Sequence, residues 1–335
     1  MTVQTMESEA RRFQPQVLVA EDLRKSYGQR EALRGLSFSL KAGRVLGFLG
    51  PNGAGKTTSI RILTTILQPS SGHFSVAGIR SDEPEKIRQK IGVLPENLGL
   101  PKNITGLEYL TFFGQLYGLS SAAAKEKAKE LLEEVGMGQR GKSLVGTYSH
   151  GMRQRLGIAR TLVNDPVVVF LDEPTLGLDP RGQQELLSLV RWVAQEQNVG
   201  VILCSHLLSE VESVCDDVII LSTGQVVARG TVAEVIGQTQ RDVLRIRVPS
   251  ESVSAVIEIL KDAPGVMSAS SADVTAGWIR VEVPDSAHTS SPEDINANNR
   301  IVQTVINAGI PVLGLETAGG RLQDVFLQIT EQVIK

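Results

Sequence analysis

Gly50-Pro51-Asn52-Gly53-Ala54-Gly55-Lys56-Thr57-Thr58 satisfies every fixed position of the spacing G-x-x-x-x-G-K-[ST] and stands directly after the apolar run Val45 to Leu49. That arrangement suits a nucleoside triphosphate. Gly50, Gly53 and Gly55 let the backbone curl so that successive N–H groups point inward, with Asn52 and Thr58 in the same cradle. A helix starting near Lys56 adds its positive N-terminal end. Lys56 then reaches the β- and γ-phosphates, and the Thr57 hydroxyl ligates Mg²⁺. A chain with 32 glycines throws up chance glycine spacings. Here all fixed positions match, between a strand-like run and the helix-like Thr58 to Leu67.

A second segment, Val167-Val168-Val169-Phe170-Leu171-Asp172-Glu173, is an apolar run ending in two carboxylates. A buried central strand delivers acids to the rim of a parallel sheet in this way. Asp172 suits Mg²⁺ ligation through water, and Glu173 suits polarising an attacking water. Acids after a strand also serve as helix caps, so the phosphate loop is what gives the pair its chemical reading.

The elements that must position these groups follow from periodicity. Alternating strands over Val17 to Ala20, Leu23 to Tyr27 and Leu36 to Leu40 form an antiparallel entry. The helix after the phosphate loop runs to Leu67, followed by the strand His73 to Val76, the helix Glu83 to Lys90 and the strand Ile91 to Leu94. Between Asn103 and Asp165 the period is helical, with helices over Leu107 to Tyr117, Ala122 to Val135 and Met152 to Asn164. Alternation then returns with the strand Val167 to Leu171, the helix Arg181 to Gln197, the strand Gly200 to Cys204, the helix Leu208 to Val214 and the strands Val218 to Leu221 and Val226 to Gly230. Beyond Gln238 come the strand Val243 to Val248, the helix Ser252 to Lys261, the strands Val266 to Ser270 and Trp278 to Val283, the polar loop Asp285 to Pro292, the helix Ile295 to Asn307, the strand Val312 to Glu316 and the helix Leu322 to Val333. The order β-α-β-β-α-β points to a ferredoxin-like module.

With these elements in place, the chain resembles the ATP-binding-cassette (ABC) ATPases from Val17 to about Gln238. Tyr148-Ser149-His150-Gly151-Met152 sits where that family carries its LSGGQ signature, Leu178-Asp179-Pro180 resembles the D-loop, and His206 resembles the switch histidine. Tyr27 falls where the family stacks an aromatic on adenine. Each motif alone has a plain reading as a cap, a turn or a core residue. Their joint order carries the resemblance.

The resemblance implies an α/β P-loop NTPase cassette with a parallel core sheet, an antiparallel β subdomain and a helical insertion over about 97–165. The cassette spans 17–238, after a flexible leader over 1–16 and before a smaller α+β accessory domain over 239–335. It implies Mg-dependent ATP hydrolysis with Glu173, His206 and Lys56 as catalytic residues. Tyr27, Gly50, Asn52, Gly53, Gly55, Lys56, Thr57 and Thr58 bind the nucleotide, and Thr57, Glu96 and Asp172 face the Mg²⁺. Ser149 and Gly151 close on the nucleotide of a second cassette in a head-to-tail pair, a homodimer if the partner chain is identical.

Two motifs, the switch loop and the signature, depart from the family pattern. Glu96 stands where a glutamine is usual, and His150 and Met152 replace a signature glycine and glutamine. The switch loop, the signature and the ending Leu322-Gln323-Asp324-Val325-Phe326-Leu327 look like bacterial ABC-2-type exporter and drug-efflux cassettes, which pair with integral membrane permease subunits on separate chains. Those subunits would dock in a groove lined from about Asn97 to Tyr117. The competing class is a soluble ABC ATPase acting on nucleic acid or the ribosome. The accessory domain is expected to make dimer or regulatory contacts.

Bulk composition agrees with that frame. The chain has 335 residues, 41% hydrophobic and 21% charged, enough to bury the cores of two domains. A formal net charge of −3 without a dense Lys/Arg block gives no reason to expect nucleic acid. The segment from 239 onward, with eight Lys/Arg against twelve Asp/Glu, argues against RNA binding by the accessory module. No apolar stretch approaches the ~20 residues that cross a bilayer, and Met1 to Gln16 lacks a signal-peptide core. The expected address is therefore the cytoplasmic face of the cell membrane, reached through membrane subunits. The two cysteines, Cys204 and Cys215, read as small apolar filler.

Overall fold

The computed structural model describes residues 15–237, 242–273, 276–283, 292–318, 322–323 and 325–326. Apart from their edges, the leader, the Asp285 to Pro292 loop and the terminal helix expected from Leu322 lie outside the described residues. The chain divides into two compact units, Met1–Val232 and Ala233–Lys335.

The first unit is built on a six-stranded sheet. Its strands are β3 (Val45–Leu49), β6 (Ile91–Leu94), β7 (Val168–Asp172), β8 (Gly200–Cys204), β9 (Asp217–Ser222) and β10 (Gln225–Thr231), in the order β10-β9-β3-β8-β7-β6. All pairs are parallel except the edge pair β9–β10. β3 and β8 are buried at every position, as near-continuous apolar runs require when helices cover both faces of a sheet. Alternate residues serve separate cores. Val169, Leu171, Val201 and Leu203 join the core shared with the helices, while Val168, Phe170, Ile202 and Cys204 join the core under the antiparallel sheet.

The antiparallel sheet contains β1 (Gln16–Tyr27), β2 (Arg30–Lys41), β4 (Ser71–Val76) and β5 (Ile79–Arg80), in the order β2-β1-β4-β5. β1 is one strand where the sequence predicts two. The interruption is a bulge at Asp22, whose φ of 46° is left-handed and whose N–H donates to the Ser37 hydroxyl at 2.9 Å.

Helices α1 (Lys56–Leu63) and α2 (Pro84–Arg88) belong to the first half of this unit, and α6 (Pro180–Glu196) and α7 (Leu208–Val214) to the second. Between them lie the three helices of the insertion, α3 (Gly106–Leu116), α4 (Ser121–Glu134) and α5 (His150–Thr161). α1 stops four residues short of the predicted Leu67 because Thr65 takes a left-handed φ of 62°. α5 begins two residues earlier than Met152, because Ser149 caps it by accepting from the Met152 N–H at 3.3 Å. α3 carries a full capping box between Thr105 and Glu108.

A short helix, α8 (Val232–Gly237), begins at the division between the two units. The second unit contains β11 (Asp242–Arg247), α9 (Val253–Lys261), β12 (Ser268–Asp273), β13 (Trp278–Val283), α10 (Pro292–Asn307) and β14 (Gly314–Ala318). Its strands run antiparallel in the order β12-β13-β11-β14, the ferredoxin-like arrangement that the element order predicts. Leu244, Ile246, Ile279 and Val281 meet Val256, Leu260, Ile301 and Val305 in one core. β12 and β14 start two residues later than the hydropathy pattern places them.

Gly92 in β6 is where α5 crosses the sheet most closely, since a Cβ there would lie 2.1 Å from the Thr161 carbonyl oxygen. Backbone cannot yield as a side chain can. Gly92→Ala is therefore expected to destabilise the first unit by about 1–3 kcal/mol. An unchanged urea-unfolding midpoint would show that β6 and α5 separate freely.

Candidate nucleotide site

The loop between β3 and α1 is shaped by its glycines. Gly50 has φ 153° and its missing Cβ would strike the Leu221 carbonyl oxygen at 2.3 Å. Gly55 caps α1 in a left-handed conformation, φ 109°, with the Ala32 carbonyl 2.8 Å from where a Cβ would sit. Any other residue at either position strains the loop or opens it. The Lys56 ammonium curls back over this loop and donates to the carbonyls of Gly50 and Pro51.

Because β3, β6, β7 and β8 are parallel, their C-terminal ends share one rim. A cleft of about 990 Å³ opens there, lined by Lys56, Thr57, Glu96, Asp172, Glu173 and His206 among others. A second hollow of about 340 Å³ is lined by Asn52, Gly53, Gly55, Thr58 and Tyr27, and it shares Tyr27, Asn52, Lys56 and Thr57 with the first. The nucleotide-binding and catalytic residues expected from the sequence therefore converge on these two hollows, apart from Gly50, which lines neither and whose carbonyl accepts from Lys56, and Ser149 and Gly151. Those two line a different cleft, about 440 Å³, with Leu178 and Asp179, and it shares no residue with the first two. His150 contacts the Leu176 carbonyl through Nε2 at 2.8 Å, tying the signature to the segment after β7.

Glu173 is held in a demanding geometry. Its φ of 49° is left-handed, an uncommon conformation for a residue with a side chain. Its N–H donates to the Cys204 carbonyl at 2.9 Å, which joins the end of β7 to the end of β8. Its Oε2 lies 2.7 Å from His206 Nδ1. A carboxylate only accepts, so Nδ1 carries the proton in this contact.

Burial pushes the Asp172 carboxyl above the ordinary carboxylate range, and the neighbouring Glu173 and Glu96 add to the shift, while Lys56 and Arg61 oppose it. Two carboxylates and the Thr57 hydroxyl on one cleft are the hard oxygen donors that Mg²⁺ takes, and a cation would relieve the like-charge crowding at Asp172. Among the described residues no three or more His, Cys, Asp or Glu side chains are gathered to hold an ion by themselves.

Sequence reasoning missed Arg30, which lines the hollow beside the phosphate loop. The signal was its place in the hairpin, directly opposite Tyr27. Tyr27 is half exposed, with Lys25 Nζ 5.6 Å from its ring centre.

A P-loop nucleoside triphosphatase is the class that this sheet, loop and acidic rim define. The family model described as ABC transporter matches residues 33–176. The linearmycin resistance ATP-binding protein LnrL of Bacillus subtilis (strain 168) is 33% identical over 325 residues, covering 95% of this chain and 100% of that protein. The daunorubicin/doxorubicin resistance ATP-binding protein DrrA of Streptomyces peucetius is 38% identical over 262 residues, 78% of this chain and 79% of that one. A solved structure of cbiO1 from Clostridium perfringens, part of the ABC transporter complex cbiONQ, is 28% identical and superposes with a TM-score of 0.62 over 67% of this chain and 91% of that one.

The chain belongs to the ATP-binding subunits of ABC transporters. It is an ATP-binding, ATP-hydrolysing subunit that powers a transporter, and such subunits dimerise and work with membrane permease components. A soluble cassette acting on nucleic acid or the ribosome is not favoured by these relatives. Among the described residues no helix is long and apolar enough to cross a membrane.

Because burial favours its neutral form, Asp172 binds a proton more tightly in the folded chain than in the unfolded one. Its contribution to stability is complete below the ordinary carboxylate range and is lost as pH rises through the raised value. Asp172→Asn is thus expected to raise the neutral-pH melting temperature while lowering ATP turnover by about 10²-fold or more. A variant that melts lower at neutral pH than the parent would contradict this account of the site.

Proposed function

We propose that the chain is the motor of an exporter, working as a homodimer on the cytoplasmic face of the membrane with permease subunits on separate chains. The 2.7 Å contact between Glu173 and His206, at the rim of the cleft that also holds Lys56 and Thr57, carries the motor part of this reading, and the drug-resistance names of the relatives support export. A chain that only binds nucleotide has no need of a strained acid paired with a histidine beside a phosphate cradle.

In the proposed roles Tyr27 stacks on adenine, and Gly50, Asn52, Gly53, Gly55, Thr57 and Thr58 shape the phosphate cradle. Lys56 neutralises the β- and γ-phosphates and Glu173 polarises the attacking water. His206 holds Glu173 through Nδ1, with its second ring nitrogen available to the γ-phosphate. Thr57, Glu96 and Asp172 hold Mg²⁺, which supplies charge neutralisation at the phosphate oxygens. Glu96 brings a full charge where the family has an amide, so it adds to the pull on the cation.

The separation of Ser149 and Gly151 from the Lys56 cleft supports a head-to-tail dimer, in which each signature closes on the partner's nucleotide. The backbone N–H groups at the start of α5 then face the γ-phosphate. On α3, Phe112 and Leu116 are more than half exposed, with Tyr117 close behind, apolar surface that suits docking of a permease element. Among drugs, lipids and other small hydrophobic or polymeric substrates, the drug-resistance names of the relatives support drugs as cargo. The second unit is assigned dimer or regulatory contacts.

Glu173→Gln tests the whole reading. Turnover is expected to fall by about 10²-fold or more with ATP binding retained. Used as bait on detergent-solubilised native membranes with ATP and Mg²⁺, this variant should recover a polytopic membrane protein. Recovery of ribosomes, or of the free dimer alone, would overturn the exporter assignment.

A further inference from the structure

Behind the nucleotide cleft lies a buried carboxylate that the roles above do not use. Glu210 sits on α7 and is only 4% exposed. Its Oε2 accepts the Thr175 hydroxyl at 2.8 Å and the Ser205 hydroxyl at 2.7 Å, both within the buried interior. Thr175 and Ser205 are themselves buried, at 1% and 0% exposure. Ser205 Oγ also accepts the Leu207 N–H at 3.0 Å, and the Glu210 N–H donates to the Leu207 carbonyl at 3.1 Å. Glu210 Oε1 has no hydrogen-bond partner among the described residues.

The placement of the two hydroxyls gives this cluster its meaning. Thr175 is two residues beyond Glu173, and Ser205 immediately precedes His206. One carboxylate oxygen therefore clasps the segment that follows β7 to the segment that follows β8, on the buried side of the loops whose other side carries the Glu173–His206 contact. Such a group is costly to bury. A stabilising role alone would be met as well by apolar side chains.

We propose that Glu210 is a positioning residue, a clasp that through Thr175 and Ser205 fixes Glu173 and His206 at their working separation. This rests on the catalytic roles proposed above for Glu173 and His206. The clasp constrains Glu173 from one side while its backbone bond to Cys204 constrains it from the other. A left-handed acid at the end of a strand would otherwise relax, and displacement of about 1 Å in a catalytic group costs on the order of 10²-fold in rate. The clasp uses one acceptor oxygen and not the charge as such, so the amide oxygen of glutamine can serve in its place.

The test measures steady-state ATP hydrolysis and ATP affinity for the purified full chain and for Thr175→Val, Ser205→Ala, their double variant, Glu210→Ala and Glu210→Gln. Glu173→Gln is run beside them. The two hydroxyl variants change little volume but each takes one donor from the buried carboxylate, so each should melt a few degrees lower than the parent and still be folded at the assay temperature, even if Glu210→Ala folds poorly. Each is expected to lower kcat roughly 10- to 100-fold with KM and ATP affinity changed less than about threefold. The double variant should lose little more than the worse single one, because either break opens the clasp. Glu210→Gln should recover at least tenfold of the rate lost in Glu210→Ala.

Fully multiplicative losses in the double variant, or unchanged kcat in both hydroxyl variants, would overturn the clasp. Equal losses in kcat and in ATP affinity would do the same, by showing a general structural role. Full turnover in Glu173→Gln would instead fail the catalytic assignment on which the clasp rests, and is read separately.

Discussion

Parallel pairing of β7 with β8 is the constraint on which the rest of the site depends. The register sets Asp172 opposite Cys204, so the next residue on each strand leaves the sheet at the same level. Glu173 continues the pairing with one more bond to the Cys204 carbonyl before turning through a left-handed conformation. The carboxylate is delivered beside His206 as a consequence. A slip of one residue would exchange the side chains that β7 gives to its two cores and remove the acid from the rim.

The sheet can hold that register because it is apolar on both faces. Two cores grip β7 and β8 independently, one beneath the antiparallel sheet and one among the helices. Among the described residues, charged side chains are kept from the fully buried interior and those of the site gather where the strands end. Glu210 is the instructive exception, a carboxylate admitted to the interior with two hydroxyl donors fitted to one of its oxygens. Burial likewise pushes the thiols of Cys204 and Cys215 up, so both remain protonated packing groups.

Charge at the rim is arranged for a ligand rather than for stability. Glu96, Asp172 and Glu173 crowd one cleft, and burial together with that crowding raises the Asp172 carboxyl. Lys56 opposes that crowding while bonding to its own loop's carbonyls. Such arrangements cost folding energy and are the usual mark of a functional site.

The amino-acid sequence by itself determined the phosphate loop, the acid-ended strand, the order of α and β elements and the ferredoxin-like order of the second unit. Each of these is written locally, as glycine spacing, apolar runs or period. Helix ends were less legible, since a left-handed Thr65 or a Ser149 cap depends on backbone geometry that period alone does not encode. Tertiary structure decided the rest. Only the fold shows that Ser149 and Gly151 lie apart from Lys56, that Arg30 reaches the phosphate loop, and that Glu210 joins Thr175 to Ser205. These relations link residues distant along the chain, and they come into being only when parallel strands bring their ends to one edge.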